Sequence, residues 1–451
     1  MEGWAGVVLA AGRGSRMRSR LPKVLHRLCG RELLSYPVAH LRQAGLARVV
    51  VVLSPAAREG ARAALGDDVA CLLQPEPLGT GHAALLALRH LGSDVQHVLI
   101  TAGDLPLVRP ETLCALVQRH LETGAALTLL SSTACPPEGL GRVVRDGQGR
   151  VTAVVEEAHA DPQVRGLREV NASVYCLRTE WAAAALERLP PGPKGEVYLT
   201  DLVAAASGEG LGVGAVVSRE PYETLGVNTR AELAQAEQVL RQRVRQRWME
   251  AGVTLVDPAT VYIDDTVELG EDTVVHPNTH LLGHTRVAPG CTIGPNAILV
   301  DTVLGEGCRV VASVLEGATL EEEVHVGPFS HLRPGAYLER GVHVGNFAEV
   351  KNSRVGRGTQ MGHFSYLGDA TVGAGVNIGA GTVTCNYDGV AKHRTEIGEG
   401  AFIGSDTMLI APVRVGPRAA TGAGAVVTRD VPPDSIAVGV PARMRKRSNP
   451  S

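Results

Sequence analysis

An α/β domain followed by an all-β domain is the fold class predicted for this 451-residue chain, and two observations predict it. Roughly the first 225 residues alternate short β-branched runs with stretches of helical period, the pattern of βαβ units. Beyond Gly252 the period changes to six, with an aliphatic residue, often followed by glycine, recurring along three long registers. A length about three times the ~150-residue domain prior leaves room for both cores.

In the first half the clearest strands are Gly6-Val7-Val8-Leu9-Ala10, Val49-Val50-Val51-Val52-Leu53 and His97-Val98-Leu99-Ile100. They predict a mainly parallel, Rossmann-like sheet with helices on both faces, and in such sheets ligands gather at strand C-terminal ends. Residues 229–249 contain no Gly or Pro and place Leu233, Ala236, Leu240, Val244 and Trp248 at three-to-four spacing, which predicts a connecting helix. The chain is therefore divided into a domain at 1–228, a linker helix at 229–250 and a repeat domain at 251–451.

In the repeat domain Leu269, Val275, Leu281, Val287, Ile293 and Leu299 stand six apart. A second register runs Leu320, Val326, Leu332, Leu338, Val344, Val350, and a third Ile397, Ile403, Leu409, Val415, Thr421, Val427. One six-residue unit cannot bury an apolar face alone, so units must stack, each side turning one aliphatic residue inward. Three sides per coil make a triangular solenoid, the left-handed parallel β-helix of hexapeptide repeats. Register breaks near 305–320 and 380–396 predict loops that leave the prism.

Composition narrows the function classes. Hydrophobic residues are 44% and charged residues 20%, which excludes a polar disordered chain. Forty-four Lys+Arg against 47 Asp+Glu leave a formal charge of -3, so no whole-chain field argues for nucleic acid. No apolar run approaches the ~18 residues needed to span a bilayer, and no basic segment precedes the first apolar run, so a cytoplasmic protein without membrane insertion is expected. Eight cysteines form no C-x-x-C pair and are too sparse for a disulfide scaffold.

The first strand runs into Leu9-Ala10-Ala11-Gly12-Arg13-Gly14-Ser15-Arg16-Met17, followed by Leu21-Pro22-Lys23. Glycines let the backbone approach a ligand, free amides can face phosphate oxygens, and Arg13, Arg16, Arg18, Arg20 and Lys23 supply positive charge. This is not a P-loop, because no G-K-[ST] follows, and a glycine-rich turn alone is also an ordinary structural turn. The run resembles the L-A-A-G-x-G-[ST]-R-M…P-K signature of sugar nucleotidyltransferases. Gln74-Pro75-Glu76-Pro77-Leu78-Gly79-Thr80-Gly81-His82-Ala83, Gly103-Asp104-Leu105-Pro106, Gly139-Leu140-Gly141-Arg142, Glu156, Asn171 and Gly226-Val227-Asn228 continue that resemblance in order. With the hexapeptide half included, nearly the whole chain resembles the bifunctional N-acetylglucosamine-1-phosphate uridylyltransferase / glucosamine-1-phosphate N-acetyltransferase family.

The resemblance implies that Asp104 and Asn228 hold Mg²⁺, a hard cation that takes oxygen ligands. It implies nucleotide contacts from Leu9, Ala10, Ala11, Gly12, Lys23, Gln74, Gly79 and Thr80, with Arg16 and Lys23 neutralising the triphosphate. Sugar contacts are implied for Gly141, Glu156, Asn171 and Asn228. Two motifs depart from the family pattern: the expected Y-G-D reads Ala102-Gly103-Asp104, and the expected N-T-G reads Asn171-Ala172-Ser173.

In the repeat domain polar residues gather where a solenoid should be bland. Arg333 and Lys351 lie 18 residues apart, one coil at three six-residue sides, and should stack as a phosphate clamp or as a solvated face. His363 follows Glu349 by less than a full coil, so the two can approach only around a corner or across subunits. Met361-Gly362-His363-Phe364-Ser365-Tyr366-Leu367-Gly368-Asp369 and Gly379-Ala380-Gly381-Thr382-Val383-Thr384-Cys385-Asn386-Tyr387-Asp388-Gly389 resemble the acetyltransferase half of the same family. Resemblance makes His363 the general base, with Glu349 orienting or charging its imidazole. It gives Arg333, Lys351 and Lys392 to the sugar phosphate and Tyr366, Asn377 and Asn386 to the sugar. Ala380, Asn386, Tyr387, Ser405 and Ala423 would border acetyl-CoA, with Arg443 of the basic tail, which runs on to Arg447, meeting its phosphates.

The implied function is acetyl-CoA-dependent acetylation of glucosamine 1-phosphate, then uridylyl transfer from UTP, in a homotrimer acting on small molecules. The alternatives are a single-function sugar-1-phosphate nucleotidyltransferase carrying a non-catalytic, oligomerising β-helix, and a trimeric scaffold with no chemistry.

Overall fold

The computed structural model describes residues 1–135, 137–192 and 195–446. Two units divide between Leu240 and Arg241. In the first, a nine-stranded sheet comprises β1 (Trp4–Ala10), β2 (Val49–Leu53), β3 (Ala70–Leu73), β4 (His97–Ala102), β5 (Leu127–Ser132), β6 (Arg142–Arg145), β7 (Val151–Val155), β8 (Val170–Arg178) and β9 (Val213–Ser218). Its order is β9-β5-β8-β4-β1-β2-β3, with the β6–β7 hairpin attached to β8. Pairs β1–β2, β1–β4, β2–β3 and β5–β9 are parallel, while β8 runs antiparallel to both neighbours.

Period-two burial explains the layers. Ala5 and Val7 face a core shared with helices Thr80–His90, Thr179–Arg188 and Asp201–Gly208, whereas Trp4, Val8 and Ala10 face one shared with Ser35–Gln43 and Pro110–Thr123. A sheet covered on both faces leaves only its strand ends open, and the C-terminal ends of β1 and β4 therefore become the mouth of a pocket.

Helix Arg230–Glu250 falls where the absence of Gly and Pro predicts it. Thr229 caps its start: the Thr229 hydroxyl accepts from Glu232 N–H at 3.2 Å while Glu232 accepts from Thr229 N–H at 2.7 Å, a reciprocal capping box. Ala236 and Leu240 join a first-unit core with Leu28 and Leu33, and Val244 joins the core of the second unit.

That second unit is the left-handed parallel β-helix predicted by the six-residue period. Three parallel sheets of twelve, ten and nine strands stack along it, and the twelve-stranded one closes with an antiparallel pair, Ser435–Val438 and Arg443–Lys446. Every aliphatic residue of the three registers is buried. The polar Thr421 is satisfied in place, its hydroxyl taking the Gly404 N–H at 2.9 Å and meeting Thr407 Oγ1 at 2.8 Å.

The two register breaks have different outcomes. The expectation of a loop near 305–320 is corrected: Leu299, Leu304, Val310, Leu315 and Leu320 are all buried, and their strands still pair with the coils above and below. Shortening a corner by one residue moves the register without expelling chain. The second break is a loop, since Ala370 pairs with Thr395 and residues 386–394 lie outside the strands.

Candidate functional sites

The pocket of the first unit encloses about 960 Å³, lined by Leu9, Ala10, Ala11, Gly12, Arg13 and Lys23 from the first turn, with Gln74, Gly79, Thr80, Asp104, Glu156 and Asn171 opposite. Gly14 makes this turn fit. It adopts φ +60°, and a Cβ there would lie 2.6 Å from Lys23 Cβ. Lys23 thereby reaches inward, its ammonium 2.5 Å from Asp104 Oδ2 and 2.9 Å from Asn228 Oδ1. Asp104 follows the end of β4, and its carbonyl accepts from Val227 N–H at 2.9 Å, which ties the segment carrying Asn228 to the mouth.

Asn228 Nδ2 donates to Gly226 O at 3.4 Å, so its amide oxygen is the atom turned toward the cation. Two convergent oxygens on one positive charge fit a hard metal ion completed by phosphates and water. Among the described residues no group of three or more His, Cys, Asp or Glu could hold a metal by itself.

On the far wall Glu156 accepts from the Thr200 hydroxyl at 3.1 Å. Burial first, and then the nearby Asp201, push the Glu156 carboxyl above the ordinary range. Asn171 Nδ2 donates to the Tyr175 hydroxyl at 2.6 Å, and its Oδ1 accepts from Ser173 N–H at 3.3 Å. A bulge between Asn171 and Tyr175 puts Ser173 at φ +56° in the pocket wall. Gly141 lies behind this wall: its carbonyl takes the Asn171 N–H at 2.8 Å, and a Cβ would meet Val154 at 2.9 Å. The buried Arg142 guanidinium braces the approach through Pro137 O at 2.6 Å and Arg165 O at 3.3 Å.

Ten of the expected residues thus share one cavity, counting Leu9, Ala10, Ala11, Gly12, Lys23, Gln74, Gly79, Thr80, Glu156 and Asn171, with Asp104 at their centre. Arg16 is exposed on the short helix Ser15–Met17 and is not part of the lining. Tyr175, Tyr198 and Thr200 line the pocket without having been singled out from the sequence. Tyr175 could have been found, because Asn171 and Tyr175 fall on the same side of one strand by period two.

On the ten-stranded face of the solenoid, Leu332 pairs with Val350, which brings Arg333 beside Lys351. The loop at 386–394 adds Lys392. It is braced by the Tyr387–Lys392 bridge, by Asp388 accepting from Val390 and Ala391 N–H at 2.8 Å each, and by Asn386 Nδ2 donating to Asp369 at 2.5 Å. Lys392, then Arg333, hold the Lys351 ammonium below its ordinary pKa, with Asp369 opposing them, because like charges are gathered there. Tyr366 pairs with Glu349, and its ring lies so close over Gly368 that a Cβ there would meet the hydroxyl at 2.2 Å.

Glu349 accepts from Arg333 Nη1 at 2.9 Å. The expected partnership with His363 is not formed within one chain: His363 is exposed at a corner, and among the described residues it makes no hydrogen bond or ion pair. Directly below His363 in register stand Ala380, Ser405 and Ala423. Asp406 N–H bonds Ala380 O at 2.6 Å and Gly424 N–H bonds Ser405 O at 2.8 Å, forming a column of small residues along one corner. Gly379 permits it, because a Cβ would lie 2.6 Å from Ser405 N. Asn377 and Tyr387 are exposed nearby in sequence, and Arg443 is exposed on the last strand, while Arg447 lies outside the described residues.

Residues 6–191 match the family described as MobA-like NTP transferase domain. Proteins called bifunctional protein GlmU align along almost the entire chain. The one from Heliobacterium modesticaldum is 44% identical over 98% of this chain and 96% of its own. That from Trichlorobacter lovleyi is 45% identical over 98% and 97%. The one from Pelobacter propionicus is 46% identical over 97% and 96%.

Proposed function

The chain belongs to the family of the bifunctional protein GlmU, and on that premise we propose how its residues divide the work. It is an enzyme of two activities, N-acetylation of glucosamine 1-phosphate and uridylyl transfer to the N-acetylglucosamine 1-phosphate so formed, yielding UDP-N-acetylglucosamine. Uridylyl transfer is assigned to 1–228, acetyl transfer to 251–451, and 229–250 links them. The observation that carries the reading is the convergence of Lys23, Asp104 and Asn228 at one strand mouth.

In the first site Leu9, Ala10, Ala11 and Gly12 offer backbone to the nucleotide, Gln74 and Gly79 meet the base, and Thr80 starts the adjoining helix. Glu156, Asn171 and Gly141 receive the sugar. Asp104 and Asn228 would hold Mg²⁺, which supplies charge stabilisation to phosphate oxygens. The sugar 1-phosphate oxygen attacks the α-phosphorus of UTP, the bond to the β-phosphate breaks, and pyrophosphate leaves. The nucleophile is ionised at neutral pH, so positioning and charge from Lys23 and Arg16 do the work and no general base is required.

In the second site Arg333, Lys351 and Lys392 hold the sugar phosphate, with Tyr366, Asn377 and Asn386 around the sugar. His363 takes the proton from the glucosamine amine as its nitrogen attacks the acetyl thioester. The carbon–sulfur bond breaks, and CoA leaves along Ala380, Ser405, Ala423, Tyr387 and Arg443. Glu349 supports that imidazole only if a second copy brings it there, which agrees with the homotrimer that the family resemblance implies. Phe329, Phe347 and Phe364, each more than half exposed, support such an assembly, with the first two rings stacked at 5.4 Å. Among the described residues no helix is long and apolar enough to cross a membrane, and the cytoplasm is the location we assign.

A single-function enzyme with an idle solenoid does not require three gathered cations and an ordered loop that supplies one of them. Incubating the protein with glucosamine 1-phosphate, acetyl-CoA, UTP and Mg²⁺ should give UDP-N-acetylglucosamine by mass spectrometry, and none when acetyl-CoA or Mg²⁺ is withheld. Product only from pre-acetylated sugar phosphate would return the single-function reading. Elution as a monomer would remove the shared acetyl site.

A further inference from the structure

Gln74 follows β3 and is 5% exposed. Its Nε2 lies 3.1 Å from Gly79 O and 2.9 Å from His82 Nδ1. A backbone carbonyl can only accept, so the atom facing Gly79 must be the amide nitrogen. The two amide hydrogens then go to Gly79 O and to His82, and His82 Nδ1 must present a lone pair, leaving its proton on Nε2.

One atom of Gln74 is left over. Among the described residues nothing donates to Oε1, and it is not among the buried atoms lacking a partner. Because Gln74 lines the cavity, this carbonyl oxygen is what the pocket offers a ligand. The braces are themselves fixed: Gly79 has φ +97°, a Cβ there would lie 2.4 Å from Val197 O, and Leu199 N–H bonds Thr80 Oγ1 at 3.0 Å. His82 sits in the first turn of helix Thr80–His90 and does not line the cavity.

We propose that His82 is a positioning residue for base selection: by accepting from Gln74 it locks the amide with its oxygen toward the base. The inference rests on the reading above that this pocket takes UTP. Uracil presents a ring N–H between two carbonyls, which matches an acceptor. Cytosine presents a ring nitrogen lone pair beside an amine, and that lone pair would face Oε1. Turning the Gln74 amide over to suit cytosine would set its oxygen against Gly79 O and His82 Nδ1, two acceptors, in a nearly closed site.

The test compares UTP with CTP, using N-acetylglucosamine 1-phosphate and the full-length protein. His82→Leu keeps bulk and removes the acceptor, whereas His82→Asn places an oxygen near Nδ1. In His82→Leu the UTP KM should rise ~10-fold with kcat within about twofold, and the UTP:CTP ratio of kcat/KM should fall ~10-fold. His82→Asn should recover most of that ratio. An unchanged ratio in His82→Leu, or an equal loss in His82→Asn, overturns the assignment. Nitrogen-15 NMR of the unaltered protein provides a check that needs no variant: a proton found on Nδ1 of His82 would also overturn it. If the unaltered protein turns over neither nucleotide, the reading of the pocket falls first, an outcome distinct from UTP turnover with unaltered selectivity.

Discussion

The pocket of the first unit and the cationic ridge of the second achieve ligand recognition by opposite routes. In the pocket, a sheet covered on both faces leaves one mouth, and residues far apart in sequence, such as Lys23 and Asn228, meet there at 2.9 Å. On the ridge, stacked coils repeat the same positions, so Arg333 and Lys351 become neighbours simply because Leu332 and Val350 pair. A mouth closes its own site, and its polar groups pair within one chain. A ridge leaves its groups exposed, as His363 is, and gains enclosure only from an added loop or another copy. The difference teaches that missing contacts around His363 belong to the architecture.

Two substitutions break the comparison most sharply. Asp104→Ala should lower uridylyl transfer by on the order of 10³-fold and leave acetylation unaltered, because it removes charge from a preorganised site. His363→Ala should lower acetylation by about 10²- to 10⁴-fold and spare uridylyl transfer. Separate assays of each half-reaction on both variants check this, and loss of both activities from either change would mean that the two sites are not independent.

A smaller effect concerns stability. Trp4, His97 and His120 pack together at the end of the sheet away from the pocket, with His97 Nδ1 3.2 Å from His120 Nε2 and His120 Nδ1 3.0 Å from Thr128 Oγ1. Burial, then His97 and Arg178, lower the His120 pKa to about 4. As pH falls, the unfolded chain takes up the proton first, near the ordinary value of about 6.5. The neutral histidine's contribution is therefore complete above that value and is lost progressively down to about 4, amounting to roughly 3 kcal/mol at most. Urea denaturation at pH 7 and pH 4.5 should show that loss, and His120→Gln should flatten it. An unaltered slope in that variant would assign the acid lability elsewhere.

How much was legible in the sequence follows the same contrast. The solenoid could be read almost coil by coil, because a period of six maps directly onto inward positions such as Leu269 and Val275. It misled only near 305–320, where one-residue shortening of corners looks in sequence like an excursion. The pocket's charged centre was legible through motif resemblance, but its wall was not. Thr200, just before the helix Asp201–Gly208, reaches Glu156 through tertiary proximity, which no local pattern announces. The pairing of Glu349 with Arg333 in place of His363 was also hidden, since it depends on which neighbouring coil a long side chain reaches toward.

The smallest predicted effect sharpens the point about the wall. Ser173 stands at φ +56° where the family pattern has glycine, on the bulge that aims Asn171. A left-handed non-glycine residue costs about 1–2 kcal/mol, and strain of this kind persists where surrounding structure over-determines it. Ser173→Gly relieves the strain, but glycine gives the unfolded chain more freedom, an offset of roughly 0.5–1 kcal/mol. The net gain should be below about 1 kcal/mol, read as a small rise in the urea midpoint with an unchanged slope. Ser173→Ala keeps the backbone strain, so its midpoint should stay near that of the unaltered protein. If glycine lowers the midpoint, the bulge is held by the serine itself, and the wall of the pocket, like the ridge of the solenoid, depends on a local side chain more than on its sheet.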